Sequence, residues 1–216
     1  MRIKVCCISS PDEARIAIDA GAHALGLVSA MPSGPGPISD ELIAEIASRV
    51  PPGVDTFLLT CKHDAASIID QLRQTRCRTV QLVDEVEDGA YARIRGELPN
   101  VRIVQVIHVQ GRGAIEEARA AAEHVDAILL DSGRPQAAIK ELGGTGRTHD
   151  WTISAALREA VSVPVYLAGG LNESNAPQAV RAVRPFGLDL CSGVRSNGKL
   201  DQAKLRSFVA AVRACV

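Results

Sequence analysis

The sequence predicts one (β/α)8 barrel, an α/β fold in which residues 1–216 form a single domain. Three observations support this prediction. Short apolar runs alternate with amphipathic segments along the whole chain, as in repeated βα units. Hydrophobic residues make up 46% of the chain and aromatic residues only 3%, so aliphatic side chains must fill the core, as they do in buried parallel sheets. The length of 216 residues fits one barrel of roughly 200–250 residues.

The apolar runs are short enough to be strands that are buried on both faces. Each is followed by polar residues or glycine, which mark the point where the chain leaves the sheet. In chain order the predicted strands are Ile3–Ile8, Ala24–Val28, Thr56–Leu59, Thr79–Val83, Ile103–Val109, Ala127–Leu130, Val165–Ala168 and Leu188–Cys191.

The segments between the strands have helical spacing and recognisable ends. Ser10 is predicted to cap the first helix, with Pro11 at its first position and Gly21 after its end. Ser39 precedes the second helix and Asp150 is predicted to cap the sixth. The predicted helices are Pro11–Ala20, Ser39–Val50, Asp64–Arg73, Asp88–Leu98, Ile115–Glu123, Trp151–Ala160, Asn175–Val183 and Gln202–Val212.

Charge and composition exclude several classes of protein. The net charge is −1, and no basic stripe of the kind that binds nucleic acid is present. No apolar run is long enough to cross a membrane. The N-terminal MRIKVCCISS lacks the apolar stretch of a signal peptide, so a cytoplasmic location is expected. The six cysteines show no spacing typical of zinc sites, and Cys61, Cys77 and Cys215 are expected to be small buried hydrophobic residues.

Pairs of small residues that contain glycine follow the last two predicted strands, at the end of a barrel where active sites form. They are Gly169-Gly170 after the seventh strand and Ser192-Gly193 after the eighth. Backbone N–H groups at such positions can approach an anion closely. The alternative is that these glycines only make tight turns. Their position in both loops favours a phosphate site.

Two groups with proton chemistry end other strands. Asp131 closes the apolar run AILLD, and a carboxylate there must face the barrel mouth or be paired. It is interpreted as a general acid or base, with a cap or salt bridge as the alternative. Cys6 ends the first strand, where packing is the more common role, but it could exchange protons opposite Asp131. Because successive strand residues point to opposite sides, only one of Cys6 and Cys7 is expected to face the cavity.

Two loops at the same end contain several glycines. Residues 30–37 read AMPSGPGP and follow the second strand. They form either a plain connector or part of the active site. Residues 143–147 follow the sixth strand and read GGTGR. This segment is interpreted as a loop that closes on a ligand.

Taken in order, these pieces resemble the phosphoribosylanthranilate isomerase family of tryptophan biosynthesis. The family opens with K-[IV]-C-G-[IL]-T and later carries A-G-A-x-x-x-G, V-Q-L, L-L-D, G-G-T-G-[KR]-x-[FH]-D-W, L-A-G-G-L and D-x-[SC]-S-G-V. The corresponding segments here are KVCCIS at Lys4–Ser9, AGAHALG at Ala20–Gly26, VQL at Val80–Leu82, LLD at Leu129–Asp131, GGTGRTHDW at Gly143–Trp151, LAGGL at Leu167–Leu171 and DLCSGV at Asp189–Val194. The resemblance covers nearly the whole chain.

The resemblance implies an Amadori rearrangement, in which an aminoaldose becomes an aminoketose without a metal or organic cofactor. It implies that Cys6 is the general base that removes the C2′ proton and that Asp131 is the general acid that protonates the ring oxygen. The expected partner is a phosphorylated sugar, with no nucleic acid and no membrane, and the protein is expected to be a monomer or a homodimer. The expected phosphate and substrate ligands are Gly169, Gly170, Ser192, Gly193, Gly144 and Arg147.

The chain departs from the family at the mouth of the barrel. The family's S-P-R-x-[VI]-S is GPGPIS here, so Gly36 replaces an Arg thought to meet the anthranilate carboxylate, and glycine cannot make that charge-assisted bond. Val83-Asp84 replaces a His-Gly pair. Cys7 replaces a glycine, and Arg195 replaces an acid.

These departures leave three hypotheses open. In the first, the enzyme isomerises phosphoribosylanthranilate, Arg195, Arg147 or Arg134 supplies the missing charge, and Gly36→Arg is expected to improve KM. In the second, a paralogue acts on another phosphoribosyl amine with the same proton chemistry. In the third, the chain is a non-catalytic binder of phosphorylated ligands, although the presence of both Cys6 and Asp131 argues against it.

Overall fold

The computed structural model describes residues 1–144 and 146–215, and in these residues eight parallel strands close into a barrel in the order β1 to β8. In the same residues eight α-helices cover the barrel, of which α1 to α7 connect consecutive strands and α8 follows β8. The strands are β1 Arg2–Val5, β2 Ala24–Val28, β3 Asp55–Thr60, β4 Thr79–Leu82, β5 Arg102–His108, β6 Ala127–Asp131, β7 Val165–Leu167 and β8 Gly187–Leu190. The helices are α1 Pro11–Asp19, α2 Asp40–Arg49, α3 Ala65–Thr75, α4 Ala90–Glu97, α5 Gly113–Ala122, α6 Trp151–Ala160, α7 Ala176–Val183 and α8 Gln202–Arg213. The predicted (β/α)8 barrel is therefore confirmed.

The helix starts follow the capping residues that the sequence predicted. The hydroxyl of Ser10 accepts a hydrogen bond from the Glu13 N–H at 3.2 Å, and the Asp150 carboxylate accepts one from the Thr152 N–H at 2.8 Å. Each bond satisfies a backbone donor that has no partner within the helix. The element boundaries differ by a few residues from the predicted ones. Strand β1 ends at Val5, before its apolar run does, whereas β3 and β6 each extend one residue past the predicted end.

Apolar side chains form two layers around the sheet. The larger layer lies between the sheet and the helices and includes Ile3 and Val5 of β1. The smaller layer fills the barrel interior and includes Phe57 and Tyr166, whose rings meet edge to face with centroids 6.0 Å apart. The interior also contains Lys4, which is fully buried. A charge at this depth needs a partner.

A short antiparallel hairpin, which the sequence did not predict, lies between the barrel and the last helix. A 3-10 turn, Ser192–Val194, leads from β8 into β9 (Arg195–Ser196), which pairs with β10 (Lys199–Leu200). Two residues per strand are too few for a periodic pattern to be visible in the sequence. The hairpin places Arg195 directly beside the end of β1.

The prediction that three cysteines are buried is only partly correct. Cys77 is buried, and burial raises the pKa of its thiol to about 12. Cys61 and Cys215 are partly exposed, because Cys61 follows the end of β3 and Cys215 follows the end of α8. In the residues that the structure describes, no helix is both long enough and apolar enough to span a membrane.

Candidate active site

A cavity that opens to solvent lies at the C-terminal end of the strands. Residues from the ends of β1, β6, β7 and β8 line it, together with the loops after β2 and β6. Of the eight predicted site residues, six line this cavity: Cys6, Asp131, Gly144, Gly169, Gly170 and Ser192. Arg147 and Gly193 are not among its described lining residues. Thr145, in the middle of the predicted closing loop, lies outside the described residues.

Both Cys6 and Cys7 line the cavity, so the expectation that only one of them faces it is wrong. The alternation of side chains holds only within a strand, and β1 ends at Val5. Cys7 has a φ of +60°, a left-handed conformation that favours glycine. This conformation turns the chain and brings the second thiol to the same side as the first.

Arg195 holds the backbone of this turn in place. Its guanidinium donates to the carbonyl oxygens of Cys6, at 3.4 Å, and of Cys7. It also donates to both carboxylate oxygens of Glu13, each at 3.0 Å. Glu13 in turn accepts the backbone N–H groups of Ser9 and Leu200. Burial favours the neutral acid, but Arg195 and these N–H groups outweigh it and lower the pKa of Glu13.

The three arginines proposed to replace the missing charge are all engaged elsewhere. Arg195 is bound to Glu13 and is largely buried. Arg134 and Arg147 both pair with the carboxylate of Glu141. The described lining of the cavity includes no arginine and no lysine. The hypothesis that one of these arginines takes the place of the family's loop arginine is therefore not supported by their positions.

Asp131 is buried at the end of β6. Its Oδ1 accepts the Ser132 N–H at 2.7 Å. A Cβ on Gly143 would lie 2.8 Å from Asp131 Oδ2, so the loop after β6 packs directly on the acid. Burial raises the pKa of Asp131, and the nearby charge of Asp189 adds to this, although the Ser132 N–H and His108 oppose it. The protonated form is thus favoured relative to a free aspartate.

A buried ion pair lies beneath the two thiols, and sequence reasoning missed it. Lys4 Nζ lies 2.9 Å from Asp189 Oδ1. Burial works to lower the pKa of Lys4, but the carboxylate of Asp189 outweighs it and the pKa is raised. A Cβ on Gly26 would lie 2.8 Å from Cys6 Sγ and 3.0 Å from Lys4 Nζ. The ammonium and the Cys6 thiol therefore converge beside Gly26, which leaves room for both.

The glycines after β7 and β8 are required by close packing of the backbone. A Cβ on Gly170 would lie 2.8 Å from the carbonyl oxygen of Gly146, and one on Gly193 would lie 2.0 Å from that of Leu171. Gly169 and Gly170 also have positive φ angles, +86° and +59°. The loop after β6 thus lies against the loop after β7. Ser192 lines the cavity where these segments meet.

The loop after β2 (residues 30–37) forms the opposite wall. Gly36 has a φ of +81°, and a Cβ there would lie 2.6 Å from Cys7 Cβ and 3.2 Å from Cys7 Sγ. The thiol of Cys7 also contacts the Pro35 carbonyl oxygen at 3.5 Å. Any side chain on Gly36 would collide with Cys7. The expectation that Gly36→Arg alone improves KM is therefore not compatible with the geometry.

The loops after β2 and β6 meet above the cavity. The Ser33 hydroxyl donates to the Lys140 carbonyl oxygen. A Cβ on Gly144 would lie 2.4 Å from Cδ of Pro35. Together the two loops cover the region in which Cys6 and Asp131 lie. In residues 1–144 and 146–215, no group of three or more His, Cys, Asp or Glu side chains is arranged to hold a metal ion.

The chain is similar to known proteins over nearly its whole length. A family model described as N-(5′-phosphoribosyl)anthranilate (PRA) isomerase matches residues 3–211. A protein of that name from Methanocella arvoryzae is 34% identical over 213 residues, which is 98% of this chain and 98% of that protein. N-(5′-phosphoribosyl)anthranilate isomerase 2 of Methanosarcina mazei is 36% identical over 211 residues, which is 97% of this chain and 92% of that protein.

The fold is also similar to that of a solved structure with a ligand. The crystal structure is of a phosphoribosyl anthranilate isomerase in complex with reduced 1-(o-carboxyphenylamino)-1-deoxyribulose 5-phosphate. The match has a TM-score of 0.82 and 26% sequence identity, and it covers 99% of both chains.

Proposed function

The chain belongs to the N-(5′-phosphoribosyl)anthranilate isomerase family, and from this premise we propose how its residues carry out the reaction. It is an isomerase that acts on phosphoribosylanthranilate in tryptophan biosynthesis. The observation that supports our assignment of roles is the single cavity that Cys6 and Asp131 line together. A cytoplasmic location remains a prediction from the sequence.

Asp131 is proposed to be the general acid. Burial raises its pKa, so a larger fraction of the carboxyl carries the proton that it must give to the ring oxygen. Protonation opens the ring and leaves an iminium at C1′. In this step the proton of Asp131 is transferred to the sugar. The carboxylate that remains accepts a hydrogen bond from the Ser132 N–H, which stabilises its negative charge.

Cys6 is proposed to be the general base. After ring opening, its thiolate removes the proton from C2′, and the resulting enolamine rearranges to the aminoketose. Cys6 and Lys4 both pack beside Gly26, and Cys6 adds a favourable interaction with the charged form of Lys4.

The substrate phosphate is proposed to bind at the ends of β7 and β8. Gly169, Gly170 and Ser192 line the cavity there, and Gly193 would contribute through its backbone at the start of the 3-10 turn. Backbone N–H groups without a blocking Cβ are well suited to an anion. Gly144 lines the cavity from the loop above, whereas Arg147 would have to leave Glu141 to reach a ligand.

The anthranilate carboxylate is proposed to lie against the loop after β2. Ser33 and Gly34 line the cavity there, so the carboxylate would be met by backbone N–H groups, and by the Ser33 hydroxyl once that hydroxyl exchanges the Lys140 carbonyl oxygen for the substrate. A guanidinium would meet the carboxylate with two parallel N–H donors and an opposite charge, whereas a hydroxyl or a backbone N–H supplies a single hydrogen bond without a positive charge. We therefore expect KM for phosphoribosylanthranilate to be higher in this enzyme than in family members that have the loop arginine. We expect Ser33→Ala to raise KM further.

The assignment of roles is tested by an isomerase assay in which phosphoribosylanthranilate is generated in place and the loss of its fluorescence is followed. Wild type should turn over. Asp131→Asn and Cys6→Ser should not, while both still bind the reduced product analogue in a calorimetric titration. Turnover that survives Asp131→Asn would refute the assignment of the acid, and loss of analogue binding would show that the substitution disturbs the site more broadly.

A further inference from the structure

The thiols of Cys7 and Cys191 are in direct contact inside the cavity. Their Sγ atoms lie 2.9 Å apart, and both residues line the cavity. Both are free thiols. Neither has a role in the isomerisation proposed above, which uses Cys6. The sequence resemblance adds that Cys7 stands where the family has glycine, so this pair is a feature of the chain's own sequence.

The geometry of the two strands suits a disulfide. β1 and β8 are adjacent and parallel, and their last paired residues are Val5 and Leu190. Cys7 lies two residues after Val5, and Cys191 lies one residue after Leu190. Neighbouring strands are about 4.8 Å apart, and disulfides join Cα atoms that are roughly 4.4–6.8 Å apart. The two sulfurs need to approach by less than about 1 Å to reach bonding distance.

The two thiols have different environments, and this assigns an order of reaction. Cys191 is partly exposed, whereas Cys7 is buried. The contact with Cys7 and the positive charge of Arg195 lower the pKa of Cys191, although burial opposes them. The contacts with Cys191 and Cys6, together with burial, raise the pKa of Cys7. Cys191 is therefore the nucleophile of the pair, since the thiolate is the reactive form.

We propose that Cys7 and Cys191 form an oxidation site, at which a hydroperoxide converts the two thiols to a disulfide and turnover stops. With hydrogen peroxide, the Cys191 thiolate attacks the O–O bond and becomes a sulfenic acid, and the hydroxide that leaves takes up a proton to form water. Cys7 sulfur then attacks Cys191 sulfur. The S–O bond breaks as the S–S bond forms, and the second hydroxide takes the Cys7 proton. Two thiols are oxidised and one peroxide is reduced to two waters.

The disulfide acts on catalysis through the turn that carries Cys6. It removes the thiol that contacts the Pro35 carbonyl oxygen, and it pulls Cys7 toward β8. Cys6 is the adjacent residue, and its carbonyl group shares the Arg195 guanidinium with that of Cys7. A misplacement on the order of 1 Å of a catalytic group can cost roughly 100-fold in rate. We expect oxidised enzyme to lose at least about tenfold of its turnover.

The test combines a mass measurement with an activity measurement on the full chain. The protein is treated with a small excess of hydrogen peroxide and digested with trypsin under conditions that preserve disulfides. The peptide of residues 5–15 should be joined to the peptide of residues 182–195, with the loss of two hydrogen atoms and no added oxygen. Turnover should fall as the joined peptide accumulates, and dithiothreitol should restore it.

Variants identify the sulfurs. Cys6→Ser should still form the joined peptide, although it is inactive by our assignment, whereas Cys7→Ser and Cys191→Ser should not form it. Cys61→Ser is the matched control, because Cys61 is another partly exposed thiol at a strand end that contacts the Ala30 carbonyl oxygen and not a second thiol. It should be oxidised and inactivated as wild type is.

The proposal is overturned if Cys7→Ser still forms the joined peptide, because the bond would then involve Cys6. It is also overturned if peroxide inactivates Cys191→Ser as fast as wild type, since oxidation of another group would then stop turnover. The isomerase assignment does not depend on these results, because the joined peptide is detected by mass whether or not the protein turns over substrate.

Discussion

The two walls of the cavity are both tightly packed, but by different kinds of contact. On the β7–β8 wall, added side chains at Gly170 and Gly193 would meet backbone atoms at 2.8 and 2.0 Å. On the opposite wall, the closest contact of a side chain at Gly36 would be with a side-chain atom, Cys7 Cβ at 2.6 Å, and the Cα of Cys7 would lie farther away at 3.1 Å. A close contact with a side chain can be relieved by substituting a smaller residue, whereas a close contact with backbone atoms cannot. A side chain added to the first wall therefore costs stability whatever its neighbours, whereas the second wall can exchange a large residue on one side for a smaller one on the other.

This comparison suggests how the family's loop arginine was lost. The resemblance places glycine where Cys7 stands and arginine where Gly36 stands. In this chain the Cys7 side chain occupies the space beside residue 36. We therefore interpret the two differences as linked, because a side chain at position 7 leaves no room for one at position 36. The change lies on the wall proposed to meet the anthranilate, while the wall proposed to hold the phosphate keeps its glycines.

The largest expected effect on activity comes from Asp131, which belongs to neither of these two walls. Asp131→Asn removes the proton that opens the ring but keeps the shape of the side chain. General acid catalysis contributes about 100- to 10,000-fold, so kcat should fall by about 1,000-fold or more. Because burial raises the pKa of Asp131, the acid form is lost as the pH rises through that raised pKa, and wild-type kcat/KM should decline there. A residual activity with the same alkaline decline in the mutant would point to another acid.

A substitution on the β7–β8 wall should have the next largest effect. Gly170→Ala places a methyl group 2.8 Å from the backbone of residues 146–147 at a φ of +59°. We expect a loss of about 2–3 kcal/mol in the free energy of unfolding and a KM raised about tenfold, measured by urea denaturation and steady-state kinetics.

Gly89→Ala is the control for this substitution. Gly89 also has a positive φ, +80°, but a Cβ there would meet nothing within 4 Å. It should cost only the backbone strain, about 1 kcal/mol, and leave KM unchanged. If Gly170→Ala and Gly89→Ala lose the same free energy of unfolding, close packing of the β7–β8 wall contributes nothing to the effect of Gly170→Ala.

A double-mutant cycle tests the exchange on the opposite wall. Gly36→Arg should destabilise the wild-type background, because its Cβ would lie 2.6 Å from Cys7 Cβ. In the Cys7→Gly background the contacts with the Cys7 side chain are removed and only the Cα of residue 7, at 3.1 Å, remains close. The new guanidinium can then reach the anthranilate carboxylate, and KM should fall. The coupling free energy between the two sites should be about 2 kcal/mol and of the sign that favours the double mutant. If the effects of the two substitutions on stability and KM are additive, residues 7 and 36 are not coupled and the proposed steric link is wrong.

The smallest expected effect concerns the clamp behind the β1 turn. Glu13→Gln keeps the shape but weakens the bonds to Arg195, at an expected cost of about 1 kcal/mol in the free energy of unfolding. The folded-state pKa of Glu13 lies below its usual 4.5. Its contribution is therefore complete above the unfolded-state pKa and is lost as the pH falls through the lower folded-state pKa. Wild type and Glu13→Gln should differ at pH 7 and converge in acid. A constant difference across this range would contradict the ionic role.

The sequence predicted the barrel and most of the cavity because both depend on local patterns. The apolar runs, the caps at Ser10 and Asp150 and the glycines after β7 and β8 each act within a few residues. The ion pair of Lys4 and Asp189 could also have been predicted. Lys4 shares a strand face with Cys6, and Asp189 is an acid within the last apolar strand, next to β1 in a closed barrel.

Other features depend on contacts that no local pattern reports. The direction of Cys7 follows from its left-handed backbone, which Arg195 holds through the carbonyl oxygen. The partner of Arg195 is Glu13, 182 positions away, and the hairpin that presents Arg195 has strands of two residues. The clash between Cys7 and Gly36 likewise needs the three-dimensional path of the loop after β2.

The Arg195 clamp also bears on the order in which the molecule is completed during synthesis. The thiol proposed as base precedes most of the barrel in the sequence, yet the guanidinium that fixes its carbonyl group and the strand β8 that pairs with β1 come from residues 187–216. Domains form as the N-terminal part emerges first, so most βα units can pack while β1 still has a free edge. The catalytic centre is then among the last parts to become ordered, and a nascent chain that stops before the hairpin carries nearly the whole barrel without a working enzyme.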